Sequence, residues 1–453
     1  MNVIPFVHEG LGNSSYLVGL GDGEAFIVDP DRTASRYLAA AEGRGWRIST
    51  VLETHVHADF ITGAVELAAA TQATVLHSDT AGVNYPHRAV SHGERITFAH
   101  SEIEVIASPG HSPEHMSYVL RSASGEPPLL FSGGAITAGG AARTDLVSPE
   151  MTEPLTRSTF DTLREAFAHL PDKTLLLPTH GGGSFCSSGT TGERTSTLGQ
   201  ERATNPLLLH TEEAEFVRWF PTTFPAIPAY FSRMRPANEA GPRLRREIAM
   251  PQPLSPEQFR AAAATALVVD TRPIADYAQA HMRGSLSIAF RASFATWLGW
   301  LAPEGAHLLF VLGDDSLDAV VDESLLVGYE SFAGYLTGGI DAWERASLEV
   351  MSTTVLDAQA VRRAIVDGAA VLDVREPTEH ATGHIEGSIN VPVGSLLANL
   401  ARVPRDRPIV TYCEMGERST SAASILEAAG YEDLRNLDGG IIAWHQAGMP
   451  LRV

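Results

Sequence analysis

Beyond residue 256 the chain repeats itself. Asp270-Thr271-Arg272-Pro273 recurs as Asp373-Val374-Arg375-Glu376, and His281-Met282-Arg283-Gly284-Ser285 recurs as His384-Ile385-Glu386-Gly387-Ser388. A third block, Gly338-Gly339-Ile340-Asp341-Ala342-Trp343, returns as Gly439-Gly440-Ile441-Ile442-Ala443-Trp444. The first two blocks lie 103 residues apart (373 − 270 and 384 − 281) and the third 101 (439 − 338). Ordered blocks at a domain-length period mean two copies of one fold, so this half of the chain must build the same topology twice. The two-residue difference falls between the second and third blocks, where the second copy alone carries a cysteine.

Upstream of the repeat, short apolar runs such as Ala25-Phe26-Ile27-Val28, Val75-Leu76-His77, Leu129-Leu130-Phe131 and Leu175-Leu176-Leu177 read as buried strands. Helical stretches, Gly63 to Thr71 and Ser158 to His169, alternate with them, so the class is α/β. Five prolines between Arg235 and Pro256 read as a break in regular structure. The expected organisation is a first domain over 1–240, a linker over 241–256, and the two copies over 257–350 and 352–453.

Composition narrows the partners. A net charge of −21 repels phosphate backbones, which excludes nucleic acid as a natural partner. No apolar run is long enough to cross a membrane. Two distant cysteines in 453 residues, behind a start without a basic-then-apolar leader, point to a reducing cytoplasm and not to a disulfide framework. Self-association into a homo-oligomer is compatible with all of this.

Cys413 is the residue with the strongest chemical context. The apolar run Ile409-Val410-Thr411-Tyr412 leads into Cys413-Glu414-Met415-Gly416-Glu417-Arg418, and helical composition follows from Ser419. A strand-to-helix turn this tight aims backbone N–H groups and the positive end of a helix at one atom, favouring a thiolate nucleophile. Arg418 adds charge, Gly416 gives the turn its conformational freedom, and Glu414, Met415 and Glu417 complete the cradle for a persulfide. With the repeated blocks around it, this segment resembles a rhodanese domain, which implies sulfane-sulfur transfer through a Cys413 persulfide. The middle copy has Leu312-Gly313-Asp314-Asp315-Ser316 at the corresponding place, so it is expected to be a catalytically silent rhodanese fold.

The first domain gathers histidines after strand runs: His55 and His57 in Thr54-His55-Val56-His57-Ala58-Asp59-Phe60, His111 in Pro109-Gly110-His111-Ser112-Pro113, and His180 in Thr179-His180-Gly181. Imidazoles at strand ends can face a common point and hold a metal. The order of these blocks resembles the metallo-β-lactamase fold, an αββα sandwich. More closely, the blocks resemble bacterial persulfide dioxygenases fused to rhodanese domains.

That resemblance implies one Fe(II) on two histidines and an aspartate, carried over as His55 and His111, and oxidation of a thiol persulfide to sulfite. Sulfite and the Cys413 persulfide would then give thiosulfate. The aspartate position holds Gly134, and Gly140 replaces a second acid of the family. Three outcomes stay open: His57 joins His55 and His111 in a site for zinc or iron; water or an anion fills the gap; or no metal binds. If dioxygenase activity is lost, a sulfurtransferase or persulfide carrier remains, while hydrolysis of a thioester at zinc is suggested by the wider fold. Asp59 and His180 are expected to support the ligands, and Arg143 with Asp145 to shape the floor of the site. Cys186, just past Gly181-Gly182-Gly183-Ser184-Phe185, is either a sulfur relay facing the pocket or an inert buried side chain.

Overall fold

A computed structural model describes residues 2–98, 101–188 and 192–452. The chain forms two compact units, Met1–Ile248 with Asp322–Gly328, and Ala249–Val321 with Tyr329–Val453. A cut at the linker therefore misses one short segment of the middle copy, Asp322–Gly328, which groups with the first unit.

The first unit is built on two six-stranded sheets. In one, Asn2–His8, Asn13–Gly19, Glu24–Val28, Arg47–Leu52, Thr74–Ser78 and Arg88–Val90 lie in chain order, antiparallel through the third strand and parallel after it. The other runs Ser196–Thr197, Leu175–Pro178, Leu129–Gly133, Met116–Ser122, Ser101–Ala107 and Arg95–Phe98. The inner faces meet in one core that includes Tyr16, Phe26, Leu52, Val105, Tyr118 and Phe131. Helices Ala34–Glu42 and Ala64–Thr71 cover the outer face of the first sheet, and Leu163, Phe167 and Phe216 cover that of the second. This is the expected αββα sandwich. The helix expected from Ser158 begins earlier, at Pro149, because proline is favoured in the first turn.

Each copy in the second unit is a five-stranded parallel sheet of the same order. The first runs Pro253–Leu254, Phe332–Leu336, Leu308–Val311, Leu267–Asp270, Leu286–Ser287, and the second Thr354–Leu356, Leu434–Leu437, Ile409–Tyr412, Ala370–Asp373, Ile389–Asn390. The end of the expected linker is thus a strand: Pro253 sits at the sheet edge, where its missing N–H removes no ladder bond.

The repeated sequence blocks turn out to be scaffold. Arg272 clamps Asp270 through Nε and Nη2 and donates onward to the Ala280 carbonyl, while Arg375 clamps Asp373 and donates to that of Gly383. His281 and His384 pair with Met351 and Arg452 through backbone bonds. Trp343 and Trp444 donate Nε1–H to the carbonyls of Glu349 and Pro450. Gly338, Gly339, Gly439 and Gly440 all take positive φ, which makes the double glycine a backbone requirement.

Candidate functional site

The second copy ends its central strand at Tyr412 and starts its helix at Glu417, so Cys413 lies at the helix entrance. Gly416 N–H donates to Cys413 Sγ at 3.1 Å, and Ser419 Oγ stands 3.6 Å from the same sulfur. Gly416 reaches this position at φ 115°, open to glycine and strained for other residues. Arg418 is held by Glu379 through two contacts of 2.6 and 2.7 Å. Burial alone would lower the Arg418 pKa; Glu379 and the charge of Cys413 more than offset this and raise it, so the guanidinium stays charged beside the sulfur. Glu414 and Met415 are exposed at the mouth of the loop, and Glu417 pairs with Arg291 of the first copy.

That last contact belongs to a longer seam within the second unit. Ser421 Oγ donates to the Ser287 carbonyl (2.6 Å), Ser424 Oγ accepts from Ser287 N–H (3.2 Å), and Glu427 takes His281 Nε2 and Gly284 N–H at 3.1 Å each. The helix that positions Cys413 therefore lies against the silent copy along one face. A cavity of about 450 Å³ is walled by Gly416, Thr420, Asn436 and Gly439 on one side and Ile274 and Ala278 on the other. In the silent copy Val311 pairs with Asp270 as Tyr412 pairs with Asp373, which sets Leu312 where the active copy has Cys413.

In the first unit, strand ends converge at one edge of the sandwich. His55, His57, Asp59, His111, His180 and Cys186 are all buried there. The ring centroids of His55, His111 and His180 form a near-equilateral triangle of 4.7, 5.1 and 5.2 Å. His55 Nδ1 meets Thr54 Oγ1 at 2.8 Å, His111 Nδ1 meets the Arg143 carbonyl at 2.7 Å, and His180 Nδ1 meets Asn13 Oδ1 at 3.1 Å. Burial and the neighbouring imidazoles push His55 well below its ordinary pKa, and burial with His180 pushes His111 down to about 3. Both rings are neutral, the state in which imidazole ligates.

His57 stands differently. Its Nε2 lies 3.4 Å from Asp29 Oδ1 and 3.3 Å from Glu53 Oε2, and its ring stacks on Phe60. Burial disfavours its charge, but Asp29 and Glu53 overcome that and raise its pKa to about 10. An imidazolium between two carboxylates has no lone pair for a metal, which separates it from the ligand role expected beside His55 and His111. His180 instead brings Nε2 to within 3.2 Å of His55 Nε2. Asp59 accepts from Asn13 Nδ2 at 2.8 Å; burial opposes its charge, but His180 lowers its pKa. Cys186 faces the cluster, its thiol pushed up by burial and Asp59. Arg143 forks onto Asp145 and also holds the Phe185 and Pro225 carbonyls.

The aspartate of a facial triad is absent, and its space is closed. A Cβ built on Gly134 would sit 2.8 Å from Ala142 Cβ and 2.9 Å from His111 Cδ2, while Gly134 N–H is spent on His115 Nε2 at 2.9 Å. Two histidines and a carboxylate at 134 therefore do not describe this site. Sequence reading missed His115, which stacks on His55 at 5.0 Å, and Asp29, which takes φ 46° and receives Thr54 N–H, Thr54 Oγ1 and Thr179 Oγ1. The spacing of His115 four residues after His111 was the available signal.

Residues 8–180 match the metallo-beta-lactamase superfamily, and residues 255–346 and 357–447 each match the rhodanese-like domain. A "Sulfurtransferase" of Allochromatium vinosum is 36% identical over 98 residues, 21% of this chain and 92% of that protein. The solved metallo-beta-lactamase of Staphylococcus aureus superposes with a TM-score of 0.65 at 30% identity, covering 74% of this chain and 98% of its own. The chain belongs to the metallo-β-lactamase–rhodanese fusions. The first half of this fusion is ETHE1-like: the bovine protein named persulfide dioxygenase ETHE1 is 29% identical over 209 residues, 45% of this chain and 74% of that protein. The same half is 34% identical over 172 residues to a hydroxyacylglutathione hydrolase of Polaromonas, of which the fusion spans 62%. With sulfurtransferase domains behind an ETHE1-like one, the fusion is an enzyme of sulfur metabolism.

Proposed function

We propose that the central chemistry of this fusion is sulfane-sulfur transfer through Cys413, with a low-molecular-weight thiol persulfide or thiosulfate as donor. The Cys413 thiolate attacks the outer sulfur of the donor. The donor S–S bond breaks as the Sγ–S bond forms, and the donor leaves as a thiolate or as sulfite. Sulfite or another thiolate then takes that sulfur from the Cys413 persulfide, giving thiosulfate or a new persulfide and returning the thiolate. No external oxidant enters this cycle, so electrons balance within it.

The observation that carries the reading is the Gly416 N–H aimed at Cys413 Sγ from the start of a 12-residue helix, with Arg418 fixed alongside. Such donors hold negative charge on the thiolate and on the persulfide that replaces it. Thiosulfate-to-cyanide sulfur transfer by the full chain tests it: Cys413→Ser should abolish turnover with the fold intact, and turnover that survives the substitution refutes it.

A second reading adds oxidation of the thiol persulfide to sulfite in the first half, supplying the acceptor for Cys413 by proximity. The ETHE1-like sequence favours it, and the closed position at Gly134 weighs against it. Oxygen consumption by iron-loaded protein given a thiol persulfide distinguishes the two. Without uptake, only the transfer cycle remains.

A further inference from the structure

The histidine cluster of the first unit carries an anionic donor of its own. One ring nitrogen of His111, one of His180 and the Sγ of Cys186 all lie within 4.8 Å of one another, and His180 shares a second such group with His55. The three imidazoles are turned the same way. Thr54 Oγ1, the Arg143 carbonyl and Asn13 Oδ1 each engage an Nδ1, so each Nε2 is left to face inward. Outer partners that fix the tautomer and ring orientation in this way are a regular feature of metal-bound histidines.

His55 Nε2 and His180 Nε2 stand 3.2 Å apart. Two nitrogens each about 2.1 Å from a tetrahedral metal are separated by about 3.4 Å, so this pair is spaced as two ligands of one ion. A second, independent observation lies beside them: Asp59 Oδ1 is buried with no hydrogen-bond partner among the described residues, although its residue is 2% exposed. An unpaired carboxylate oxygen behind this cluster costs free energy unless positive charge is nearby.

We infer that His55, His111, His180 and Cys186 form a three-nitrogen, one-sulfur site for a single divalent metal of the zinc class, in which the Cys186 thiolate supplies the negative ligand that Gly134 cannot. A thiolate with three imidazoles is a borderline-soft, four-donor set suited to tetrahedral Zn(II), whereas a facial triad with open positions suits non-haem Fe(II). His57 lies outside the set, held by Asp29 and Glu53. The site is independent of Cys413 and would stand if sulfur transfer failed.

The test uses the full chain carrying Cys413→Ser, which leaves Cys186 as its one thiol, loaded with cobalt(II) or zinc. The cobalt form should show thiolate-to-cobalt charge-transfer absorption in the near ultraviolet, together with the intense visible bands of a tetrahedral ion. Adding Cys186→Ser should remove the charge-transfer band and weaken zinc binding by at least about 10-fold. His180→Ala should weaken binding comparably, and His57→Gln should leave the cobalt spectrum in place. Cobalt bound without the charge-transfer band, a spectrum unchanged by Cys186→Ser, or failure of the folded protein to bind one equivalent of either metal would overturn the assignment. So would loss of the spectrum in His57→Gln with retention in His180→Ala. Should the Cys186 variant not fold, X-ray absorption of the zinc-loaded Cys413→Ser chain decides: one sulfur near 2.3 Å supports the site, and a shell of nitrogen and oxygen alone refutes it.

Discussion

Asp373 shows how much one carboxylate can organise. It is buried and accepts from Arg375 Nε and Nη2, from Arg375 N–H and from Tyr412 OH at 2.7 Å, with His380 Nδ1 at 2.9 Å. Burial opposes its charge; Arg375, His380 and Tyr412 outweigh that and lower its pKa. A carboxylate lowered in the folded state adds stability above its unfolded pKa of about 3.9 and loses it as pH falls through the folded value. Chemical denaturation between neutral pH and pH 3 should therefore show this stabilisation full at pH 7 and declining in acid. Asp373→Asn leaves Arg375 buried beside a neutral amide and should cost the second unit about 3–5 kcal/mol at pH 7. At this scale the sequence was readable wherever the chemistry is contiguous: strand, Cys413, glycine and helix follow one another within a dozen residues. Asp29, Glu53 and His57 were not, because their pairing arises from two strand ends that only the sheet brings together.

The helix Glu417–Ala428 has two tasks, and its sequence discloses one. Its N-terminus serves Cys413, while Ser421, Ser424 and Glu427 engage the silent copy. Glu427→Ala removes the acceptor for His281 and for Gly284 N–H, and should destabilise the second unit by about 1–3 kcal/mol. Two-probe denaturation should show the loss in the second unit's transition and not in the first. Sulfur transfer should become more heat-sensitive in this variant while Arg418 and Gly416 are untouched. In the sequence this face reads as small polar residues of a solvated helix. Its partner residues, His281, Gly284 and Ser287, belong to repeated blocks or lie next to them, and repetition points to the domain they build, not to the neighbour they touch. The strand at Pro253 was hidden for a related reason: proline-rich composition marks a break, and only the sheet reveals a protected edge.

As a whole, the molecule separates its two chemistries into two compact units. Chelation should lower the thermal stability of the first unit, since a ligand that binds only the folded state stabilises it by mass action. Thiosulfate-to-cyanide transfer measured on the same chelated sample should be unchanged. A parallel loss of both activities would contradict this independence. The fold class and both rhodanese copies were legible because period, strand runs and turn glycines agree with one another. The make-up of the histidine cluster was not, because an absent residue such as Gly134 says what is missing and not what takes its place.

The duplication lets the protein be read by subtraction. Aspartate-arginine clamp, backbone-bridged histidine, double glycine and tryptophan survive in a copy whose nucleophile position is Leu312. Those residues are the grammar of the fold, legible without reference to any reaction. What remains after they are removed, Cys413 with Gly416 and Arg418, is the message, and it is shorter than any motif search over the whole domain would suggest.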